Sequence, residues 1–259
     1  MSNLNFISEE DFQKHVEATI KHYGNKLEPY DLKKFNKNTI DPVKLIFDKI
    51  VYKLSWEDIV KNEVFRQRDK SNNNDIGYFH QRIFQYIQGC ETPTHGWDVI
   101  LSNEQGIQVT VDDKVSRVFV EMKNKHNTMN SASSSKTYIK MQSQLLADDD
   151  CACFLVEVIA RQSQNIPWVI SVDGQQKKHC RIRRVSIDEF YSTVTGQSDA
   201  FYQICMELPG VIEKTVADAI NISPNDSVID ELNNLAQSNN GSFTLALYML
   251  GFSSYMGFR

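Results

Sequence analysis

Nothing in these 259 residues suggests a covalent or metal staple. Cysteine is scarce: Cys90, Cys151, Cys153, Cys180 and Cys205 make an odd count, with no C-x-x-C pair. That spacing excludes a zinc ribbon and a disulfide framework, so all five read as reduced thiols of an intracellular protein. Long apolar runs are missing too. The longest, Cys151 to Ala160, is interrupted by Glu157 and is too short to cross a bilayer. The first thirty residues are polar and charged, without the apolar stretch of a secretory leader. The expected location is therefore the cytoplasm, with no membrane partner. There is no internal repeat, and the one biased patch is Ser131-Ala132-Ser133-Ser134-Ser135. With 41% hydrophobic and 24% charged residues, disorder, collagen and coiled coil drop out.

An excess of positive charge is also absent. Lys and Arg number 28 against 33 Asp and Glu, a net charge of −5, which taken whole argues against a nucleic-acid partner. The distribution changes that reading. Residues 1–60 carry 9 basic and 10 acidic groups, residues 61–184 carry 17 and 14, and residues 185–259 carry 2 and 9. The acidity belongs to the C-terminal quarter, which is expected to face away from any anionic partner of the mildly basic middle.

Residues 9–24 and 42–54 have helical apolar spacing. Residues 56–70 place Ile59, Val60, Val64 and Phe65 on a helix face, with Ser55 as N-cap. Asn72, Asn73 and Asn74 should break that helix, and Asp75 should cap a second, ended by Gly89. The period then changes. Trp97–Leu101, Ile107–Val111 and Arg117–Met122 read as three strands of an antiparallel meander, with Ser102–Gly106 and Asp112–Lys114 as turns. Residues 134–147 return to helical spacing. Cys151–Ile159 reads as a central strand covered on both faces, and Trp168–Val172 and Cys180–Val185 as further strands. From 187 the pattern is helical, punctuated by Pro209, Pro224 and Gly241. A helix between the third strand and a buried fourth implies an α/β (α+β) fold, a mixed central sheet flanked by helices. The expected division is an N-terminal helical region (1–55), a core (56–196) and a C-terminal helical region (197–259), forming one compact domain.

One strand carries chemistry. In Val118-Phe119-Val120-Glu121-Met122-Lys123, Glu121 and Lys123 are two apart and share a sheet face. Asp98, among apolar neighbours on the preceding strand, can converge on them. Two carboxylates bind a hard divalent cation such as Mg²⁺ through oxygen, and a nearby lysine can position water or neutralise charge building on a phosphate. The plainer alternative is a solvated Glu-x-Lys ion pair of little energetic consequence. Two further observations bear on that choice. The segment from Lys123 to Lys140 holds four lysines, one histidine and no acid, which suits phosphate and base-edge contacts. A second basic run, Lys177 to Arg184, suits phosphates or a plain polar face equally.

Asp98 and Glu121-Met-Lys123 resemble the active site of the PD-(D/E)XK nuclease superfamily. The words around them, RQRDKSNNNDIGYFHQ (66–81), GWDVI (96–100), VEMKNKHNTMNS (120–131), FLVEVIAR (154–161) and the segment from Arg183 to Gly196, resemble type II restriction endonucleases that cut 5′-GGNCC-3′. The resemblance implies a Mg²⁺-dependent homodimer that hydrolyses double-stranded DNA, leaving 5′-phosphate and 3′-hydroxyl ends. Asp98 and Glu121 would bind the metal and Lys123 would assist the attacking water. Gly77-Tyr-Phe-His-Gln81 resembles the superfamily's G-x-x-x-E pattern with Gln81 in the last place; Glu63 is the other candidate for that position, and His80 reads as structural. Lys125, His126, Asn127, Asn130, Lys136 and Lys140 are the expected DNA contacts. Trp97 and Tyr138 read as core. The rival readings are a structure-selective nuclease on the same core and an inactive DNA-binding module. Residues 1–40 and 200–259 read as packing or dimerisation elements.

Overall fold

The computed structural model describes residues 4–25, 28–172, 174–217, 226–238 and 241–252; Pro224 lies outside them. Helices α1 (Glu9–Asn25), α2 (Leu32–Lys37), α3 (Pro42–Tyr52) and α4 (Trp56–Arg82) come first, and a 3₁₀ turn (Ile83–Tyr86) follows. Strands β1 (Cys90–Glu91), β2 (Val99–Thr110) and β3 (Asp113–Lys125) lead to helix α5 (Ser131–Ala147) and strand β4 (Cys151–Ile159). Then come β5 (Asn165–Pro167), β6 (Ile170–Val172), β7 (Gln175–Lys177) and β8 (Ile182–Ser186). Helices α6 (Ile187–Thr195), α7 (Ala200–Ala217), α8 (Val228–Ser238) and α9 (Phe243–Gly251) complete the described chain.

Contacts group the chain into two units, residues 1–20 with 75–219 and residues 21–74 with 220–259. This grouping is discontinuous in sequence. The expected break at Asn72–Asn74 does not occur: α4 runs through it. Asn in a helix costs only tenths of a kcal/mol against Ala, roughly 0.7 at most. Asn73 Nδ2 returns a 3.0 Å hydrogen bond to Asp69 four residues back. At the start of α4, Ser55 and Asp58 form a reciprocal capping box, Asp58 N to Ser55 Oγ at 3.0 Å and Ser55 N to Asp58 Oδ2 at 3.3 Å.

The first unit holds a six-stranded mixed sheet in the order β1-β2-β3-β4-β8-β5. The pairs β1/β2, β2/β3 and β8/β5 are antiparallel, and β3/β4 and β4/β8 are parallel. Helix α5 makes the crossover that β3 and β4 require. The expected three-strand meander is two strands. Between Ser102 and Ile107 five steps of β2 are matched by two of β3, Arg117 to Val115, so the turn-like Ser102–Gly106 is a bulge inside β2. Gly106 takes φ +86° there, and Asn103 Oδ1 accepts from Gln105 N at 2.9 Å.

Seven consecutive residues of β4, Cys151 to Glu157, are buried, as a strand covered on both faces requires. On one face Val99, Val118, Val120, Met122, Ala152, Phe154 and Val156 pack against Phe12 and Val16 of α1, Ile83 and Phe84, and Phe190 and Tyr191 of α6. On the other, Phe119, Cys153, Leu155 and Ile182 pack against Tyr138 and Met141 of α5 and against Trp168. The second unit is helical, its core built from Phe35, Leu45, Ile59, Val60, Val64, Leu232, Phe243 and Leu247.

Gly89 turns the chain into β1 with φ +80°, and a Cβ there would stand 2.8 Å from the Ser102 carbonyl oxygen. Gly89→Ala combines a left-handed backbone with a clash against main chain, so it should cost about 2–3 kcal/mol. Thermal or urea unfolding measures that loss; an unchanged midpoint would contradict the turn geometry.

Candidate active site

Asp98 lies one residue before β2. Its N–H donates to Val120 O at 3.0 Å, and its Oδ2 accepts from Met122 N at 2.7 Å. Val99 pairs with Val120, so one further step sets Asp98 opposite Glu121 on the same face. That is the α5 face, since Glu121 shares parity with Phe119, whereas Met122 points into the opposite core. Lys123, two residues on, donates to Glu121 Oε1 at 2.7 Å. The structure therefore brings Asp98, Glu121 and Lys123 together.

A fourth charged group joins them from α5. Lys140 Nζ donates to Glu121 Oε2 at 2.8 Å and to the Gly96 carbonyl, and lies 3.9 Å from the centre of the Trp97 ring. Sequence reasoning placed Lys140 with the DNA contacts. A helix residue's phase against a sheet is a tertiary property; the available sequence signal was its position one turn after Lys136 on the helix that crosses over from β3. Trp97 is half-buried and donates to Gln144 Oε1 at 3.3 Å, while Tyr138 is core.

The remaining expected residues fall as follows. Lys125, Asn127 and Lys136 are exposed. His126 is tied to Ile159 O through its backbone N–H at 3.0 Å. Asn130 is the N-cap of α5, accepting from Ser133 N at 2.9 Å. Gln81 is half-buried at the end of α4. Four residues earlier, a Cβ on Gly77 would lie 3.5 Å from the Asn124 amide, so this turn of α4 passes the end of β3. Glu63 belongs to the second unit, is buried, and has its carboxylate held by Arg66 and Gln67 of its own helix. His80 is kept neutral by burial, which pushes its pKa down to about 4 with His15 adding to the fall. The three arginines of the basic run near β8 are matched. Arg181 forks onto Asp113 at 2.7 and 2.8 Å, Arg183 bonds Asn165 and the Cys180 carbonyl, and Arg184 forks onto Glu157 at 2.6 and 2.9 Å. Arg184 also donates to His126 O at 3.1 Å, which ties the loop after β3 to the sheet.

The two carboxylates differ in environment. Burial pushes the Asp98 carboxyl up, the Met122 N–H pulls it back, neighbouring Glu121 adds to the rise, and the net shift is upward. Burial also pushes Glu121 up, but hydrogen bonds and charge from Lys123 and Lys140 outweigh it and hold Glu121 below the usual carboxylate range. The donors are hard oxygens without thiolate or imidazole, and two ammonium groups stand where a cation's charge would be welcome. Among the described residues no third His, Cys, Asp or Glu completes a cage. Two carboxylates with open positions fit a divalent ion that also binds water and phosphate.

A helix-flanked mixed sheet with this acid, acid and lysine group at paired strands is compatible with a restriction endonuclease fold. The chain belongs to the Eco47II restriction endonuclease family, whose model matches residues 4–217. It is similar to the type II restriction enzyme Sau96I of Staphylococcus aureus, with 33% identity over 214 residues, 80% of this chain and 78% of that protein. It is also similar to the type II restriction enzyme Eco47II of Escherichia coli, with 29% identity over 231 residues, 85% and 91% of the two chains. The chain is thus a type II site-specific endonuclease, a hydrolase acting on double-stranded DNA, and its family implies a divalent metal cofactor. No helix among the described residues is long and apolar enough to cross a membrane.

Two predictions follow from the electrostatics. Stability from Glu121, whose pKa is lowered, is present above its unfolded pKa and lost as pH falls through the folded value. Stability from Asp98, whose pKa is raised, is present at acid pH and lost as pH rises through the folded value. In metal-free protein at neutral pH, Asp98→Asn should therefore unfold later than wild type and Glu121→Gln earlier. Both differences should shrink as pH falls below about 4; pH-dependent thermal melts read the sign, and the reverse order would contradict it. Separately, Arg184→Met strands the buried Glu157 carboxylate and should cost about 3 kcal/mol, measured by urea unfolding.

Proposed function

We propose that the chain is a PD-(D/E)XK nuclease that cuts DNA at 5′-GGNCC-3′ with Mg²⁺, as a cytoplasmic homodimer. The observation that carries this reading is the meeting of Asp98, Glu121 and Lys123 on adjacent strands. The site words and family membership support the sequence preference, and the near-palindromic site calls for two copies. Asp98 and Glu121 would hold the ion, which when bound supplies a polarised phosphoryl oxygen and a more acidic water. Gln81, a weaker ligand than the glutamate of the superfamily pattern, would add to this shell through water; Glu63, already matched on its own helix, is the lesser candidate.

The chain's own groups do the rest. The Met122 N–H fixes Asp98, so the spacing of the carboxylates is set before DNA arrives. Lys123 orients the attacking water and offsets charge building on the phosphate during in-line displacement. Lys140, held on Glu121, adds positive charge where the DNA backbone approaches. Lys125, Asn127 and Lys136 contact the flanking backbone and bases, with His126 and Asn130 held in place by their bonds to Ile159 and α5. Hydrolysis leaves 5′-phosphate and 3′-hydroxyl ends. The acidic α6 and α7 belong to the layer packed on the opposite sheet face, away from these groups.

Digestion of a plasmid of known sequence tests the reading. Wild-type protein with Mg²⁺ should give discrete fragments with ends at GGNCC, and none with chelator. Lys123→Ala should lower the rate by about 10³-fold or more. Fragments from a different site would overturn the specificity, and full activity of Lys123→Ala would overturn the site.

A further inference from the structure

Both oxygens of Glu121 are taken by ammonium groups, Oε1 by Lys123 and Oε2 by Lys140. Each oxygen keeps a further lone pair, but a divalent cation bound to Glu121 would stand beside both ammonium groups and repel them, so it competes with them for the carboxylate. The two lysines are not equivalent. Lys123 rises from the strand that carries Glu121. Lys140 arrives from α5 and already has a second resting place, with the Gly96 carbonyl as acceptor and the Trp97 ring face beneath its charge at 3.9 Å. That resting place is built. Gly96 takes φ +93°, and Trp97 is fixed by its bond to Gln144 at 3.3 Å and by Phe119, whose ring centre is 5.6 Å away.

We infer that Lys140 is a built-in counter-cation: it holds Glu121 in the metal-free enzyme and competes with the divalent ion for that carboxylate. On metal binding its ammonium lets go of Glu121 and keeps only the Gly96 carbonyl and the Trp97 ring. It is a positioning residue, acting through Glu121. Without Lys140, two carboxylates side by side would repel in a half-buried site; with it, the site stays closed until a cation of higher charge arrives. The inference rests on Asp98 and Glu121 being the metal site.

The test is calorimetric titration of the full-length protein with Ca²⁺ in the absence of DNA, with tryptophan emission followed in parallel. Lys140→Met keeps the stem against Trp97 and removes the charge. It should bind Ca²⁺ about tenfold more tightly than wild type, after discounting the Coulomb interaction for solvent. Lys140→Arg, which keeps the charge, should bind no tighter than wild type. Ca²⁺ should change the emission of wild type, and the change should vanish in Lys140→Met and in Trp97→Phe. Equal or weaker binding by a folded Lys140→Met, or by Lys140→Gln if the Met variant does not fold, would overturn the inference. Asp98→Asn separates the two layers. If it abolishes Ca²⁺ binding while loss of Lys140 tightens nothing, this inference alone falls. If it leaves binding intact, the metal site falls too.

Discussion

Two carboxylates side by side repel, and the organisation of this site follows from how that repulsion is met. Asp98 is pinned across the β2/β3 pair by its own N–H to Val120 and by the Met122 N–H on Oδ2. Glu121 is compensated from two directions, by Lys123 on its strand and Lys140 on the crossover helix. The sheet supplies the rigidity. Val120 and Met122 alternate with Glu121 and are buried in the opposite core, so the acid cannot turn over without exposing them. A site of this kind stores electrostatic cost in the empty state and releases it when a cation and a phosphate arrive together.

The helix between β3 and β4 has three duties. It makes the parallel crossover, covers one face of the sheet through Tyr138 and Met141, and delivers Lys140. Its first turn is capped by Asn130 and contains no acid. The buried Glu157–Arg184 pair lies one strand over and reaches back to His126 O, fixing the loop that connects β3 to that helix. The charged groups of the site, the loop and the helix are thus held by a continuous set of bonds within one unit.

Much of this was legible in the sequence, for physical reasons. A strand buried on both faces must be apolar throughout, so β4 announced itself, and with it the mixed sheet. The two-residue period placed Glu121 and Lys123 together, and family membership agrees with the resemblance read from the words around them. The misses are equally instructive. Ser102–Gly106 has the composition of a turn, and only pairing with β3 shows that it is a bulge. The Asn run reads as a helix breaker, yet a local bond from Asn73 to Asp69 and the small helix cost of Asn let α4 continue. The bond from Lys140 to Glu121 was not legible, because a helix's rotation over a sheet is decided by packing. The net charge of −5 was the least informative number. Basic groups near β8 that looked available are matched to Asp113, Asn165 and Glu157.

The central claim is that Asp98 and Glu121 together form the metal site of the cleavage reaction. A crystal structure of the full-length protein with cognate DNA and Ca²⁺ tests it most directly. The expected result is an ion held by Asp98 and Glu121, with Lys140 released from Glu121 and still on the Gly96 carbonyl. An ion held by other residues, with Glu121 still closed on both lysines, would contradict it.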